Sequence, residues 1–275
     1  MRPPLDGTVL VTGASAGIGA ALSRVFARTA KVLVLVARRE DRLRALADEL
    51  ERARAGLQVH TWACDLADAS AAMALARRAI DELGGVDVLV NNAGFGDQCY
   101  VEHAQWPKLA ELIAVNITAL TLLCQQLVPG MVARGKGGVL NISSGFGVSY
   151  LPGMATYVAS KHYVTGFTDT LRSELAGTGV SVTQVLPGPV ASEFHGVARG
   201  SAPWVPPRFA IISCERCAED AVRGFAAGRA MVFPGIVFWF AGWGSRIVPR
   251  WLWRQITALL SRFWLRPKLQ LGEKR

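Results

Sequence analysis

Apolar residues in this chain come in short continuous runs separated by longer stretches of helical period. The runs are Thr8–Thr12, Lys31–Ala37, Leu57–Ala63, Val86–Gly94, Gly138–Ser143, Val180–Gly188 and Ala230–Pro234. Runs without apolar–polar alternation belong to strands covered on both faces. The intervening stretches Ile18–Thr29, Glu40–Arg54, Ala69–Leu83, Leu109–Leu127 and a segment after Met154 read as helices. Regular β–α alternation with buried strands predicts an α/β fold with a doubly wound parallel sheet. Pro129 is expected to kink or stop its helix. No solenoid-period repeat and no low-complexity linker interrupt the pattern, so residues 1–235 read as one domain.

Composition adds a second region. Hydrophobic residues make up 51% of the 275 and charged residues 19%, which excludes a disordered or fibrous chain. The formal net charge of +9 would point to nucleic acid if it were spread over the chain. It is not: the segment from Gly228 onward carries +8, and residues 1–227 carry only +1. Five of the eight tryptophans lie in the same tail, taken as residues 236–275. Nucleic acid is therefore not expected as a partner. Five cysteines, odd in number and irregularly spaced, predict a reducing, cytoplasmic setting and no disulfide scaffold. The opening residues "MRPPLDG" are too short and polar for a secretory signal.

The first strand runs into Thr12-Gly13-Ala14-Ser15-Ala16-Gly17-Ile18-Gly19. Glycines between a strand and a helix let the backbone turn tightly and approach a pyrophosphate at the helix N-terminus. An acid at the end of the second strand would bind the 2′-hydroxyl of NAD(H) and repel a 2′-phosphate. This chain has Arg38 and Arg39 there, and a guanidinium can hold a phosphate bidentately. NADP(H) is thus expected over NAD(H); the alternative is that both arginines are a solvated helix entrance.

The ordered set Gly13-x3-Gly17-x-Gly19, Asn91-Asn92-Ala93-Gly94, Asn116, Ser144, Tyr157-x3-Lys161 and Pro187-Gly188 resembles the short-chain dehydrogenase/reductases. The likeness is to their compact single-domain branch and covers roughly residues 6–235. It implies a Rossmann-type fold of about seven strands, helices on both faces, and a homodimer or homotetramer. By the same resemblance Tyr157 is the general acid in carbonyl reduction and the base in alcohol oxidation. Lys161 binds the nicotinamide ribose and lowers the tyrosine pKa, Ser144 holds the carbonyl, and Asn116 supports a water-linked proton relay. Ser143 competes with Ser144 and is the fallback. Cofactor contacts are implied at Gly13, Ser15, Ala16, Gly17, Ile18, Gly19, Arg38, Arg39, Asp65, Leu66, Asn92, Ala93, Gly94, Tyr157, Lys161, Pro187, Gly188, Val190 and Ser192. A substrate loop is implied over about 193–228.

The residues argue part of this chemistry unaided. Hydride transfer to a carbonyl develops alkoxide charge, so a proton donor and a hydrogen-bond donor must converge on that oxygen. Tyrosine titrates near 10 and needs a cation beside it, and a lysine four residues on shares its helix face. The rival reading from another class is an NADP(H)-binding sensor or scaffold without turnover.

Other features draw weaker readings. Cys214-x2-Cys217 has metal-ligand spacing, but no second pair stands nearby, so no metal is expected. His162 is expected to pack on its helix, and His195 could line the pocket. The Pro-rich Ser201–Pro207 segment reads as a loop or lid. The uncharged stretch between Arg229 and Arg246 is shorter than the roughly 20 residues that span a bilayer. Beyond it, Pro249 opens a helix in which Leu252, Trp253, Ile256, Leu259, Leu260, Phe263 and Trp264 share one side. Arg250, Arg254, Thr257, Ser261 and Arg262 take the other. Such a helix suits a membrane interface, apolar face down, peripheral on the inner leaflet, and a lipophilic substrate follows from it. The alternative is packing on the domain or on a partner subunit.

Overall fold

The computed structural model describes residues 2–194, 198, 208–235 and 249–265. His195, the Ser201–Pro207 segment and residues 236–248 and 266–275 of the tail lie outside them, as do the side chains of Arg250, Leu260 and Trp264.

Strands β1 (Thr8–Thr12), β2 (Val32–Ala37), β3 (Gln58–Ala63), β4 (Val88–Asn91), β5 (Gly137–Ile142), β6 (Val180–Val185) and β7 (Met231–Val232) form one seven-stranded sheet. Its order is β3-β2-β1-β4-β5-β6-β7 and every pairing is parallel. This is the doubly wound Rossmann-type arrangement. The chain builds outward from β1 to β3, then returns to lay β4 on the other side of β1. That reversal opens a crevice beyond the carboxyl ends of β1 and β4.

Alternate residues of each run feed two different cores, which is why the runs are continuously apolar. Val9, Val11, Leu33 and Leu35 pack under α1 (Gly17–Phe26), α2 (Glu40–Ala53) and α7 (Cys214–Ala226). Leu10, Val34, Val36 and Leu89 pack under α3 (Ala69–Leu83), α5 (Leu120–Ala133) and α6 (Ala155–Glu174). Local chemistry sets the helix ends. Asp68 caps α3 by accepting from Ser70 N at 2.8 Å, and Gly84 ends it in the left-handed region at φ +68. Ser213 caps α7 by accepting from Arg216 N at 3.1 Å.

Two local expectations change. Pro129 does not stop its helix. Its ring removes one donor, but Leu127, Val128 and Met131 are buried around it and the helix continues to Ala133. Upstream, α4 (Trp106–Ile113) joins α5 through a π-helical stretch, Ala114–Ala119, that carries Asn116. Together Trp106–Ala133 is long and apolar enough to cross a membrane by composition, yet its inner face lies in the sheet's core.

Candidate active site

The crevice is a cleft of about 670 Å³. At one end the glycine turn makes its floor from backbone. Gly13 sits at φ +68, and a Cβ there would lie 2.9 Å from Ala93 Cα, so only glycine lets the turn close on β4. Helix α1 starts at Gly17 with neither a side-chain cap nor an acid in its first turn. Its leading N–H groups and positive dipole end are left for an anion, as a pyrophosphate needs. Thr12 braces the turn: its Oγ1 donates to Val90 O at 3.2 Å and accepts from Asn92 N and Ala93 N, each at 3.0 Å.

At the other end buried side chains replace backbone. Tyr157 stands on the first turn of α6 with Lys161 one turn on, both nearly sealed from solvent. The phenol is hydrogen-bonded to Ser144 at the end of β5. Burial pushes Tyr157 up to about 12, partly offset by that bond. Burial also pulls Lys161 down to about 8. The ammonium donates to Ile142 O at 2.9 Å and lies 5.9 Å from the Tyr157 ring centroid. A lowering of the phenol by Lys161 is not among the causes of this shift. Desolvation dominates, and the ammonium spends its contact on a backbone carbonyl.

Asn116 is fully enclosed and ties three elements. Its amide donates to Phe95 O and to Ser160 Oγ, each at 3.0 Å, and its Oδ1 accepts from Phe95 N at 3.1 Å. Ser160 Oγ in turn donates to Tyr157 O at 2.7 Å. A Cβ on Gly94 would stand 2.9 Å from Asn116 Oδ1 and 3.5 Å from Lys161 Nζ, so glycine keeps this approach open. Of the two serines, Ser143 Oγ turns away to Lys161 O at 3.1 Å and to Thr165, and Ser144 lies beside the phenol.

The remaining sequence candidates gather on the same cleft. Ser15, Ala16, Ile18, Gly19, Asp65, Leu66, Asn92 and Ala93 line it, as do Pro187, Gly188, Val190 and Ser192. Asn91 does not lie under the cofactor turn; it faces inward and donates to Asn141 Oδ1 at 2.9 Å. Arg38 and Arg39 stand on the rim, both exposed. Arg38 pairs with Glu111 on α4 at 2.8 Å, whereas Arg39 reaches Ser15 Oγ and Glu193. Cys214 and Cys217 lie on the buried face of α7, and no group of three or more metal-ligating side chains occurs among the described residues. His162 hydrogen-bonds Val158 O on its own helix.

A family model described as short chain dehydrogenase matches residues 7–200. The chain belongs to the short-chain dehydrogenase/reductase family. A sulfoacetaldehyde reductase of Chromohalobacter salexigens is 38% identical over 196 residues, covering 70% of this chain and 76% of that one. A glycine betaine reductase of Emericella nidulans is 39% identical over 198 residues, which are 72% of this chain but only 15% of that protein. A solved short-chain dehydrogenase from Sphingobium yanoikuyae, in complex with NADPH, superposes with a TM-score of 0.78. It shares 32% identity and covers 87% of this chain and 93% of its own. As a short-chain dehydrogenase/reductase the chain is an oxidoreductase, and its cleft fits a nicotinamide dinucleotide through the uncapped helix and the close glycine approaches.

Sequence reasoning missed part of the site. Phe95, Phe146, Tyr150 and Phe194 gather around Tyr157 in a cluster of their own. Each lies in or beside a loop, where no periodicity marks a residue's side. The tail also needs correction. Helix α8 (Arg250–Leu260) docks through Trp253 of the apolar side together with Thr257 and, just past its end, Ser261 of the polar side. Trp253 Nε1 donates to Tyr150 O at 3.3 Å and Ser261 Oγ meets the Tyr100 hydroxyl at 2.9 Å. Thr257 is buried because its hydroxyl bonds back to Trp253 O at 3.0 Å. Trp251, Leu252, Ile256, Leu259 and Phe263 stay exposed.

Proposed function

We propose that this chain is an NADPH-dependent reductase of ketones or aldehydes, reversible in principle, acting on a lipophilic substrate. The observation that carries the reading is the buried, Ser144-bonded phenol of Tyr157 at the end of a cleft that begins in an uncapped, glycine-built turn. Bound NADPH would supply the hydride. Ser144 and Tyr157 then offer two hydroxyls to the carbonyl oxygen on which charge develops. A phenol held near 12 keeps its proton at neutral pH and is ready to donate it. Lys161, at about 8, remains largely an ammonium at pH 7 and supplies positive charge beside the proton donor. Asn116 and Ser160 hold that helix turn against the Phe95 wall. The aromatic cluster around Tyr157 favours an apolar or aromatic group on the carbonyl.

Consumption of NADPH with a panel of carbonyls of increasing apolar bulk tests this. Turnover by the native chain and its collapse in Tyr157→Phe are expected. A Tyr157→Phe variant with full activity overturns the assignment, and NADPH binding with no turnover of any carbonyl favours the sensor reading.

The tail helix supports a lipid-facing position for the entrance. Its docked edge touches Tyr100 and Tyr150, close in sequence to the cleft-lining Gln98 and Ser149. Its free face combines exposed Trp251, Leu252, Ile256, Leu259 and Phe263 with Arg254 and Arg262. Sedimentation with anionic vesicles should carry down the native chain and lose a Leu252→Ser, Ile256→Ser, Leu259→Ser, Phe263→Ser variant. Equal recovery of both with the vesicles, or of neither, removes the membrane reading.

A further inference from the structure

Glu193 joins the two walls of the cleft. It follows Ser192 on the segment leaving β6, and its carboxylate accepts from two guanidiniums on the opposite rim: Arg42 Nη1 at 2.6 Å and Arg39 Nη1 at 3.0 Å. The other edge of Arg39 lies on Ser15 Oγ in the glycine turn, at 3.1 Å from Nη2 and 3.3 Å from Nε. The next residue reaches the other end of the cleft. The Phe194 ring lies 5.4 Å, centroid to centroid, from Tyr157, and its Cζ is 2.8 Å from where a Cβ on Gly96 would stand.

Two adjacent residues therefore touch the two ends of the site. Arg39, Arg42 and Ser15 form an anion-receiving group, and in this structure the anion they hold is a side chain of the chain itself. The three charged side chains are each about half exposed, 42%, 44% and 51%, so these pairs are screened and readily exchanged. A phosphate brings nearly two negative charges and more acceptor oxygens than a carboxylate, and it displaces one from an arginine pair. A ribose hydroxyl brings no charge and leaves the pair intact.

We propose that Glu193 is a specificity-determining residue that competes with the 2′-phosphate of NADP(H) for Arg39 and Arg42. The inference rests on the NADP(H) reading above. It makes Glu193 a tax on phosphate binding that NAD(H) does not meet.

Dissociation constants for NADPH, NADH, 2′,5′-ADP and 5′-AMP, measured by calorimetry on the native chain and on Glu193→Gln, test it without any turnover. Because Glu193 is exposed, the variant should fold normally. At low ionic strength Glu193→Gln should bind NADPH and 2′,5′-ADP about three- to tenfold tighter, with NADH and 5′-AMP unchanged. The gain should shrink as salt is raised. No gain, a loss, or an equal gain for NADH in a chain that prefers NADPH overturns the role of Glu193 alone. A native chain that binds NADH as tightly as NADPH, and 2′,5′-ADP no better than 5′-AMP, overturns the cofactor reading and this inference with it.

Discussion

Helices α6 and α8 each press one edge against the aromatic cluster, and they do so by opposite means. Helix α6 turns polar groups inward: Tyr157, Ser160 and Lys161 are buried, each with a hydrogen-bond partner. Helix α8 has a well-marked apolar side, yet among its described side chains only Trp253 of that side joins Thr257 and Ser261 on the inner edge, while Leu252, Ile256, Leu259 and Phe263 are exposed. Sequence period locates an apolar face on a helix but does not say what covers it. Where inward polar groups are enclosed and paired, a substitution leaves an unmet partner in a dry site and the effect is large. Where the contact is one indole edge and a hydroxyl, the effect is small.

That contrast sets the order of the expected outcomes. Tyr157→Phe keeps the ring and removes the hydroxyl, so kcat/KM for carbonyl reduction should fall by about 10²–10⁴-fold. NADPH affinity, measured by fluorescence titration, should hold. Ser144→Ala should lower kcat by about 10²–10³-fold through the lost donor to the carbonyl oxygen, with NADPH affinity again preserved. A loss confined to KM would show that Ser144 only binds substrate.

Raising pH should expose Lys161 before Tyr157. The pKa of Lys161 is lowered to about 8 by burial, so its ammonium is lost as pH rises through that value, while the phenol, raised to about 12, stays protonated. Reduction measured at saturating cofactor should be level between pH 6 and 7 and fall about tenfold by pH 9. A profile flat to pH 10 would mean that the ammonium's charge is not used. The same shift has a stability sign. Between about 8 and 10.5 the unfolded chain binds more protons than the folded one at this residue, so its contribution to stability rises with pH there.

Smaller effects belong to α8. Trp253→Ala removes one exposed-edge ring contact and one long hydrogen bond, and should lower the free energy of unfolding by about 1 kcal/mol or less in a urea titration. A loss several times larger would show that the tail helix is part of the folding unit, which would bring the two helices closer in kind than their contacts suggest.

Much of the frame was legible because both faces of the sheet's centre are covered: β1, β2, β4 and β5 show as largely buried, apolar runs, and the helices between them keep their period, whereas the edge strand β3 is mostly half-exposed. The glycine turn and the Tyr157–Lys161 spacing were legible for the same kind of reason, since each depends on short-range geometry that sequence separation encodes; the preference for Ser144 over Ser143 rested on the family resemblance alone. Pairings made across the cleft were not. Glu193 with Arg39 is separated by 154 positions and Tyr100 with Ser261 by 161, and no local pattern carries such a contact. Thr257 was misplaced because its hydroxyl satisfies itself on its own helix, which makes a polar residue behave as a small apolar one. Nor does spacing along a helix tell how deeply a phenol is buried or where an ammonium spends its hydrogen bonds.

The carboxamide of Asn116 has one last consequence. It answers both backbone groups of Phe95 and also the hydroxyl that caps the carbonyl of Tyr157, so the pocket wall and the Tyr157 turn are riveted together. A guest too broad for the wall cannot push it aside without tilting the phenol. On the proposed reading fit and reactivity are geared to one another: Asn116→Ala should disturb both, whereas a smaller side chain at position 95 leaves the backbone bonds to Asn116 in place.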